Sequence, residues 1–390
     1  MADNPVPRGF RVHTMNVGLA GSDRDDFAVI ASEVPAAVSA VATRSRFAGP
    51  SVRLSREAAA DGTARGVVVL AANANVATGA AGLADAVEVR RMVAGAIGVP
   101  DSDLLIASTG VIGRRYPMDT IRKALRSLRW PFPGHDFAAA ARAIMTTDTR
   151  PKVVTRRVDG RAGGATLVGV AKGVGMIEPN MATLLTYYFT DAAVPAGDLH
   201  RIFRQVMDRT FNALSIDSDT STSDSAAVFA NGLAGPVSGA DFADALHDVA
   251  LRLVREVAGD GEGASTVIEV WITGARDNAQ AKRVGKAIVN SPLVKTMVYG
   301  RDPNWGRVAM AIGKCEQDHD IDQDRVRIGF GDVAVYPPEP GADALARLAD
   351  QLCRETVVIW ADLGIGTGAF TVYGCDLTEG YVRLNSSYTT

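Results

Sequence analysis

The 390-residue sequence predicts a mixed α/β protein, with α+β layers stacked on one another. Three observations support this fold class. Apolar, β-branched segments occur together with amphipathic helical segments, but without a regular strand–helix–strand order, which favours mixed or antiparallel sheets. No repeat of roughly 20 to 50 residues is visible, and no linker is long enough to require separate domains. Hydrophobic residues make up 47% of the chain and charged residues 22%, which is enough apolar material for a large core.

The first half of the chain combines buried strands with loops of small polar residues. Runs of Val and Ile predict the strands, and apolar residues at helical spacing predict the helices. The predicted strands are 10–16, 26–32, 37–43, 65–71, 104–107, 152–158 and 165–171, and the predicted helices are about 83–97, 117–128 and 136–144. Hydroxyl-rich loops follow at 108–113 and 145–149. Backbone N–H groups in the first of these loops, at a strand end, can bind a developing oxyanion.

The second half contains the longer amphipathic helices. The predicted strands are 183–190, 265–273, 326–330, 333–336 and 355–360, and the predicted helices are about 196–209, 241–258, 278–289, 342–352 and one that starts near 305. The segment 225–231 is apolar, and 368–375 belongs to the C-terminal tail. The loop 215–224 consists almost entirely of Ser, Thr and Asp, and its place between core elements indicates that it orients them through hydrogen bonds. Glu262 lies between two glycines at a helix end, where a carboxylate can approach a ligand closely.

Charge and residue usage exclude several function classes. The net charge of −3 and the absence of a basic run argue against nucleic acid or an anionic membrane as a partner. No run of 18 apolar residues and no apolar N-terminal region occurs, so we expect a soluble, cytoplasmic protein. Cys315, Cys353 and Cys375 are too far apart for a disulfide framework or a zinc site, and we expect no metal and no cofactor. The five histidines are scattered, and none suggests a Ser-His-Asp triad.

The stretch from Lys172 to Thr183 is the strongest candidate for chemistry. It reads Lys-Gly-Val-Gly-Met-Ile-Glu-Pro-Asn-Met-Ala-Thr and runs directly into the apolar segment after Thr183. Its glycines and Pro179 force the backbone into unusual dihedral angles. A hydroxyl at the start of a buried strand, after such a loop, suits a nucleophile. By itself, the pattern fits a glycine-rich turn before an ordinary core strand better than a catalytic site, because short motifs often match by accident.

Seven motifs, in one order along the chain, resemble the ornithine acetyltransferase (glutamate N-acetyltransferase) family. They are STGVIG (108–113), AIMTTDTRPK (143–152), KGVGMIEPNMATLL (172–185), IDSDTSTSD (216–224), DGEGAS (260–265), VKTMVYGRDPNWGRV (294–308) and GCDLTEGYVRLNSSYTT (374–390). The resemblance covers essentially the whole chain. The forms KGVGMIEP and ATLLTYY are more similar to antibiotic-cluster paralogues of the clavulanic-acid type than to the usual arginine-pathway enzymes. The resemblance implies a DmpA- and ornithine-acetyltransferase-like αββα sandwich with an N-terminal-nucleophile-type site.

The resemblance also implies that the chain cleaves itself between Ala182 and Thr183. The products would be an α segment, residues 1–182, and a β segment, residues 183–390, which fold together as one catalytic unit. Two such units would form a heterotetramer. Thr183 would then carry a free α-amino group, whose pKa of about 8 lets it take the proton of its own hydroxyl. A histidine base is not needed in this scheme.

The family's site residues correspond to residues of this sequence. Thr183 would transfer the acetyl group of N2-acetyl-L-ornithine to L-glutamate by a ping-pong mechanism. Thr109 and Gly110 would form the oxyanion hole. The substrate-contacting residues implied by the resemblance are Thr147, Lys172, Thr183, Glu262, Asn385 and Thr390. Among these, Lys172 can bind the α-carboxylate of ornithine, and Glu262 can bind its distal ammonium group. The sequence does not decide which hydroxyl within 146–149 contacts the substrate, and we choose Thr147.

Three other functions compete with this one. An N-terminal-nucleophile amidase or aminopeptidase would use the same threonine, with water as the acceptor. A pathway-specific N-acyltransferase of secondary metabolism would use another acceptor amine. A non-enzymatic protein that binds an anion in the glycine-rich loops would leave the Ala182–Thr183 pair without a role. The sequence does not decide whether acetyl-CoA also serves as donor.

Overall fold

The fold is described from a computed structural model. It describes residues 5–21, 24–160, 164–178, 184–337 and 341–387. Three residues of the predicted site, Ala182, Thr183 and Thr390, lie outside these ranges. Leu184, which follows Thr183, and Asn385, which precedes Thr390 in the C-terminal segment, lie inside them.

The described residues form strands and helices in mixed order, as the sequence predicts. The strands are β1 Phe10–Met15, β2 Phe27–Ala42, β3 Thr63–Leu70, β4 Leu104–Ser108, β5 Lys152–Val158, β6 Ala165–Lys172, β7 Leu185–Ala193, β8 Ser225–Pro236, β9 Val267–Ala275, β10 Arg327–Phe330, β11 Val333–Tyr336, β12 Thr356–Asp362 and β13 Gly368–Cys375. The helices are α1 Pro50–Ala58, α2 Gly79–Ile97, α3 Met118–Leu125, α4 Phe137–Ala143, α5 Ala196–Arg209, α6 Gly239–Gly259, α7 Asn278–Val289, α8 Pro292–Tyr299, α9 Gly306–Gly313, α10 Ala342–Leu352 and α11 Glu379–Ser387. None of these helices is long and apolar enough to cross a membrane.

The larger sheet interleaves strands from the two ends of the Lys172–Thr183 stretch. Its order is β4-β3-β2-β8-β7-β6-β5, with β1 paired to β2. The strands β7 and β8, which follow residue 183, pair in parallel with each other and lie between β2 and β6, which precede it. Lys172 on β6 is directly opposite Leu185 on β7. Backbone hydrogen bonds therefore join the two halves of the chain on both sides of the β7–β8 pair.

The two halves of this sheet pack against each other. One core cluster contains side chains of β1 to β4 together with side chains of β6 to β8. Within it, the rings of Phe10 and Phe189 are 5.3 Å apart and meet edge to face. The helix α2 packs outside β3 and β4, whereas α5 and α6 pack outside β5 to β8. The layers thus run helix, sheet, sheet, helix, which confirms the αββα sandwich.

A second, five-stranded sheet belongs entirely to the C-terminal part of the chain. Its order is β11-β10-β12-β9-β13, with β9 and β12 parallel and the other pairs antiparallel. The helices α7 to α10 cover its core. The long helix α6 contacts strands of both sheets and so connects the two cores.

Some predicted elements differ from the observed ones. The predicted strands 26–32 and 37–43 are a single strand, β2, whose pairing with β3 is irregular between Ala31 and Ala36. That irregularity lies where β2 changes its other neighbour from β1 to β8. Residues 292–299, predicted as mixed, form the helix α8. The helices α1 and α11 were not predicted; α11 has no buried side chain, so it lacks the apolar periodicity that marks a helix.

Candidate active site

One pocket contains all the predicted site residues that the structure describes. It is lined by Thr109, Gly110, Thr146, Thr147, Lys172, Gly173, Gly175, Leu184, Ser221, Asp224, Glu262 and Asn385, among others. Leu184, the residue bonded to Thr183, is part of this lining. These residues come from six separate parts of the sequence, and the fold brings them together near the ends of β4, β6 and α6.

The turn after β4 has the geometry that an oxyanion hole requires. The N–H of Thr109 donates to Leu70 O at 3.0 Å, and that of Val111 donates to Ala72 O at 3.2 Å. Between them, the Gly110 N–H has no carbonyl partner within the described ranges. Gly110 has φ +119, and a Cβ there would lie 2.3 Å from the carbonyl carbon of Ala72. Only glycine fits this close approach, which leaves one N–H available for a ligand.

Lys172 is a buried cation at the centre of the pocket. Its Nζ donates to Thr146 Oγ1 at 2.7 Å and to Thr109 Oγ1 at 3.2 Å. Because Thr109 accepts this bond, its own hydroxyl proton can be donated elsewhere. Burial lowers the pKa of Lys172, and Lys152 adds to this, while Asp148, Asp224 and Glu262 oppose it.

Glu262 also lines the pocket. Its Oε1 accepts the hydroxyl of Thr147 at 2.8 Å, and its Oε2 accepts the amide of Asn385 at 2.8 Å. A Cβ on Gly175 would lie 2.6 Å from Glu262 Oε2, so a larger residue there would require the carboxylate to shift. Both hydroxyls of the 146–147 pair therefore face the pocket: Thr146 bonds Lys172, and Thr147 bonds Glu262.

A buried ionic cluster behind the pocket fixes these elements. Lys152 Nζ lies 2.7 Å from Asp148 Oδ1 and 2.6 Å from Asp260 Oδ2, and none of the three side chains is more than 2% exposed. Asp148 also accepts the N–H of Gly173 at 2.7 Å. Burial alone would raise the pKa of Asp148, but Lys172 and Lys152 with these hydrogen bonds hold it below its usual value. Sequence reasoning missed this cluster; the spacing of Asp148 and Lys152 was its only local signal.

Two aspartates of the hydroxyl-rich loop hold the chain on both sides of residues 179–183. Asp217 accepts the N–H groups of Met176 and Ile177 at 2.6 Å and 2.8 Å. Asp224 accepts the N–H of Leu184 at 2.7 Å. Leu184 has φ +88, a left-handed conformation that is strained for a side chain of this size. The loop thus orients its neighbours, as predicted, and the backbone directly after Thr183 is under strain.

The described residues contain no group of His, Cys, Asp and Glu side chains that could hold a metal ion. The lining of the pocket includes a buried cation, carboxyl groups, several hydroxyls and the backbone N–H of Gly110. Groups of these kinds are complementary to a zwitterionic ligand and to a developing oxyanion.

Comparisons with known proteins identify the family of this chain. Residues 11–390 match the ArgJ family. The chain is 66% identical over 390 residues to the glutamate N-acetyltransferase Oat2 of Streptomyces clavuligerus, covering 99% of this chain and 98% of that protein. It is 55% identical over 385 residues to the arginine biosynthesis bifunctional protein ArgJ 2 of a Nostoc strain, covering 99% and 98%.

Among solved structures, the crystal structure of the arginine biosynthesis bifunctional protein ArgJ from Bacillus halodurans is 37% identical. The similarity covers 53% of this chain and 100% of that chain, with a TM-score of 0.49. The family match, by contrast, extends over nearly the whole sequence, and it confirms the resemblance that the seven motifs indicated. The chain therefore belongs to the ArgJ family.

Proposed function

We propose that this chain is a glutamate N-acetyltransferase that moves the acetyl group of N2-acetyl-L-ornithine to L-glutamate through an acetyl-Thr183 intermediate. The observation that carries the proposal is that Lys172 and Glu262, a cation and a carboxylate, line the same pocket as Gly110 and Leu184. N2-acetylornithine has a carboxylate at one end and an ammonium at the other, with the acetyl amide between them. The names of the relatives in two organisms support the same activity.

The first half-reaction makes ornithine. Thr183 Oγ attacks the acetyl carbonyl while its proton moves to the α-amino group of the same residue. Gly110 N–H and the Thr109 hydroxyl stabilise the tetrahedral oxyanion, a contribution of about 3 to 4 kcal/mol for one such donor. The C–N bond then breaks, the proton passes to the departing nitrogen, and ornithine leaves. In the second half-reaction the glutamate amine attacks the acetyl-enzyme, which gives N-acetylglutamate and regenerates Thr183.

The proposal includes self-cleavage at Ala182–Thr183, because only then does Thr183 carry a free amine. The sheet topology supports a stable product: β7 and β8 of the segment 183–390 lie between strands of the segment 1–182. The strained backbone at Leu184 supports the site of cleavage. We further propose that two such units form a heterotetramer in the cytoplasm, with Thr390 completing the substrate site.

Measuring which molecule accepts the acetyl group, glutamate or water, tests this function. Purified protein is incubated with N2-acetylornithine and saturating glutamate, and N-acetylglutamate and acetate are quantified by mass spectrometry. We expect N-acetylglutamate to form in step with ornithine. Acetate as the main product would contradict the proposal and indicate an N-terminal-nucleophile amidase instead.

Changing Glu262 to glutamine tests the assignment of the distal ammonium. Losing a charge-assisted hydrogen bond of about 1.5 to 3 kcal/mol should raise KM for N2-acetylornithine roughly 10- to 100-fold. The KM for glutamate should not rise, because its side chain carries no ammonium. The matched control is Glu256→Gln, which removes a half-exposed carboxylate of α6 that pairs with Arg150. Equal changes of both KM values in Glu262→Gln would contradict the assignment.

A further inference from the structure

The two buried lysines of the site have different partners. Lys152 lies within 2.7 Å of the carboxylate oxygens of two aspartates. Lys172 is only 8% exposed, yet it forms no ion pair with a carboxylate in the part of the chain that the structure describes. Its Nζ donates to two hydroxyls instead, those of Thr146 and Thr109. A buried cation without a contacting carboxylate is costly, so we expect its charge to have a function in the pocket.

The hydrogen bond between Lys172 and Thr109 has only one direction. An ammonium group donates and cannot accept, so Lys172 Nζ donates to Thr109 Oγ1 across 3.2 Å. Burial lowers the pKa of Lys172, while three nearby carboxylates favour its charged form. The Thr109 hydroxyl must therefore point its own proton away from Lys172. It has no other hydrogen-bond partner among the described residues, so this proton is available to a ligand.

The same turn carries a second donor. The N–H of Gly110, the next residue, has no carbonyl partner within the described ranges, and both residues line the pocket. A side-chain hydroxyl and a backbone N–H on adjacent residues are the kind of pair that holds an oxyanion. The backbone fixes the Gly110 donor, whereas the Thr109 hydroxyl can rotate about its C–O bond. Lys172 is the described group that restricts this rotation.

We propose that Lys172 is a positioning residue of the oxyanion hole, where its ammonium group orients the Thr109 hydroxyl as a donor to the oxyanion and polarises it. The inference rests on the proposed function, because the oxyanion forms only when Thr183 attacks the acetyl carbonyl. A hydroxyl that accepts from a cation is a stronger donor, since hydrogen bonds in a chain polarise one another. The gain is largest for the charged transition state and therefore raises kcat. The third N–H of Lys172 is left for the substrate carboxylate.

The ester p-nitrophenyl acetate separates this role from binding of the substrate carboxylate. It carries an acetyl group but neither a carboxylate nor an ammonium, so Lys172 can affect its reaction only near the acetyl carbonyl. Thr183 Oγ takes the acetyl group and p-nitrophenolate leaves, which is followed by absorbance. Intact mass and fragmentation locate the acetyl group. Each rate is expressed per chain that has a terminus at Thr183.

A double-mutant cycle tests whether Lys172 acts through Thr109. Thr109→Val keeps the shape of the side chain without its hydroxyl and should slow acetylation by the ester about 100-fold. Lys172→Met should slow it at least about tenfold, because the hydroxyl is no longer oriented or polarised. In the Thr109→Val background the same change should alter the rate by less than about threefold, since the group that it acts through is absent.

The matched control cycle pairs Thr109→Val with Glu262→Gln. Glu262 accepts from Thr147 and Asn385 rather than from Thr109, so with N2-acetylornithine the two effects on kcat/KM should multiply. With the same substrate, Lys172→Met should lower kcat at least about tenfold, whatever its effect on KM. Loss of a carboxylate contact alone would raise KM and leave kcat unchanged.

The outcomes separate this inference from the function on which it rests. Acetylation of Lys172→Met by the ester at the wild-type rate contradicts the inference, and so does an equal effect of this change with and without the Thr109 hydroxyl. If Lys172→Met is not cleaved, Lys172→Arg replaces it in the cycle. It keeps a cation but moves the donor, so an equal effect in both backgrounds again contradicts the inference. A wild-type protein that gains no acetyl group on Thr183 from N2-acetylornithine overturns the proposed function itself.

Discussion

Replacing Thr183 with alanine is expected to give a single uncleaved chain that lacks acetyl transfer. Alanine has no hydroxyl to attack the preceding carbonyl, so the Ala182–Thr183 bond stays intact and no acetyl-enzyme forms. Activity should fall by at least about a thousandfold, as for other enzymes that lose their nucleophile. Denaturing gels and intact mass give the state of the chain, and N-acetylglutamate formation gives the activity.

The control for this variant is Thr186→Ala, on β7 three residues further along the chain. It removes a buried hydroxyl near the start of β7, and we expect it to be cleaved normally. Cleavage at the same position in Thr183→Ala, or acetyl transfer at the wild-type rate, would contradict the assignment of the nucleophile.

Replacing Lys152 with methionine is expected to cause the largest loss of stability. The change removes the cation that pairs with Asp260 and leaves Asp148 with Lys172 as its nearby cation. Breaking a buried pair in this way costs about 3 to 5 kcal/mol of the free energy of unfolding. The melting temperature should fall by on the order of 10 °C. Calorimetry or circular dichroism measures this change.

Two further variants show whether burial is the cause. Lys123→Met removes an exposed lysine of α3 and should change the free energy of unfolding by less than about 0.5 kcal/mol. The double variant Lys152→Met/Asp148→Asn should recover part of the loss, because one unpaired carboxylate is removed. A similar small effect of Lys152→Met and Lys123→Met would show that the cluster does not stabilise the fold.

The sequence predicts best those elements whose local pattern and tertiary environment agree. The helices α5, α7 and α10 have the predicted bounds, because each presents one apolar face to a core. The helix α8 was missed although Ser291 caps it and Pro292 occupies its first turn, since its eight residues are too few for a clear period. Short or fully exposed helices thus depend on contacts that a local pattern does not show.

The candidate site was likewise predictable only in part. Thr109, Lys172, Glu262 and Asn385 were identified because the motifs that contain them are long and occur in one order. Their mutual contacts could not be read from the sequence, and neither could the supporting cluster. Lys152 and Asp260, for example, are separated by 108 residues and meet only because α6 ends beside β5. Likewise, Asp224 accepts the N–H of Leu184 because β8, which follows Asp224, pairs with β7, which follows Leu184.

The mass of the segment that begins at Thr183 tests the central claim most directly. The protein is mixed with N2-acetylornithine without glutamate, quenched in acid and analysed as intact segments. We predict that this segment gains the mass of one acetyl group, located on Thr183 by fragmentation, and that added glutamate removes it as N-acetylglutamate. Product formation without any acetyl group on Thr183, or an acetyl group found only on the segment 1–182, would contradict the account.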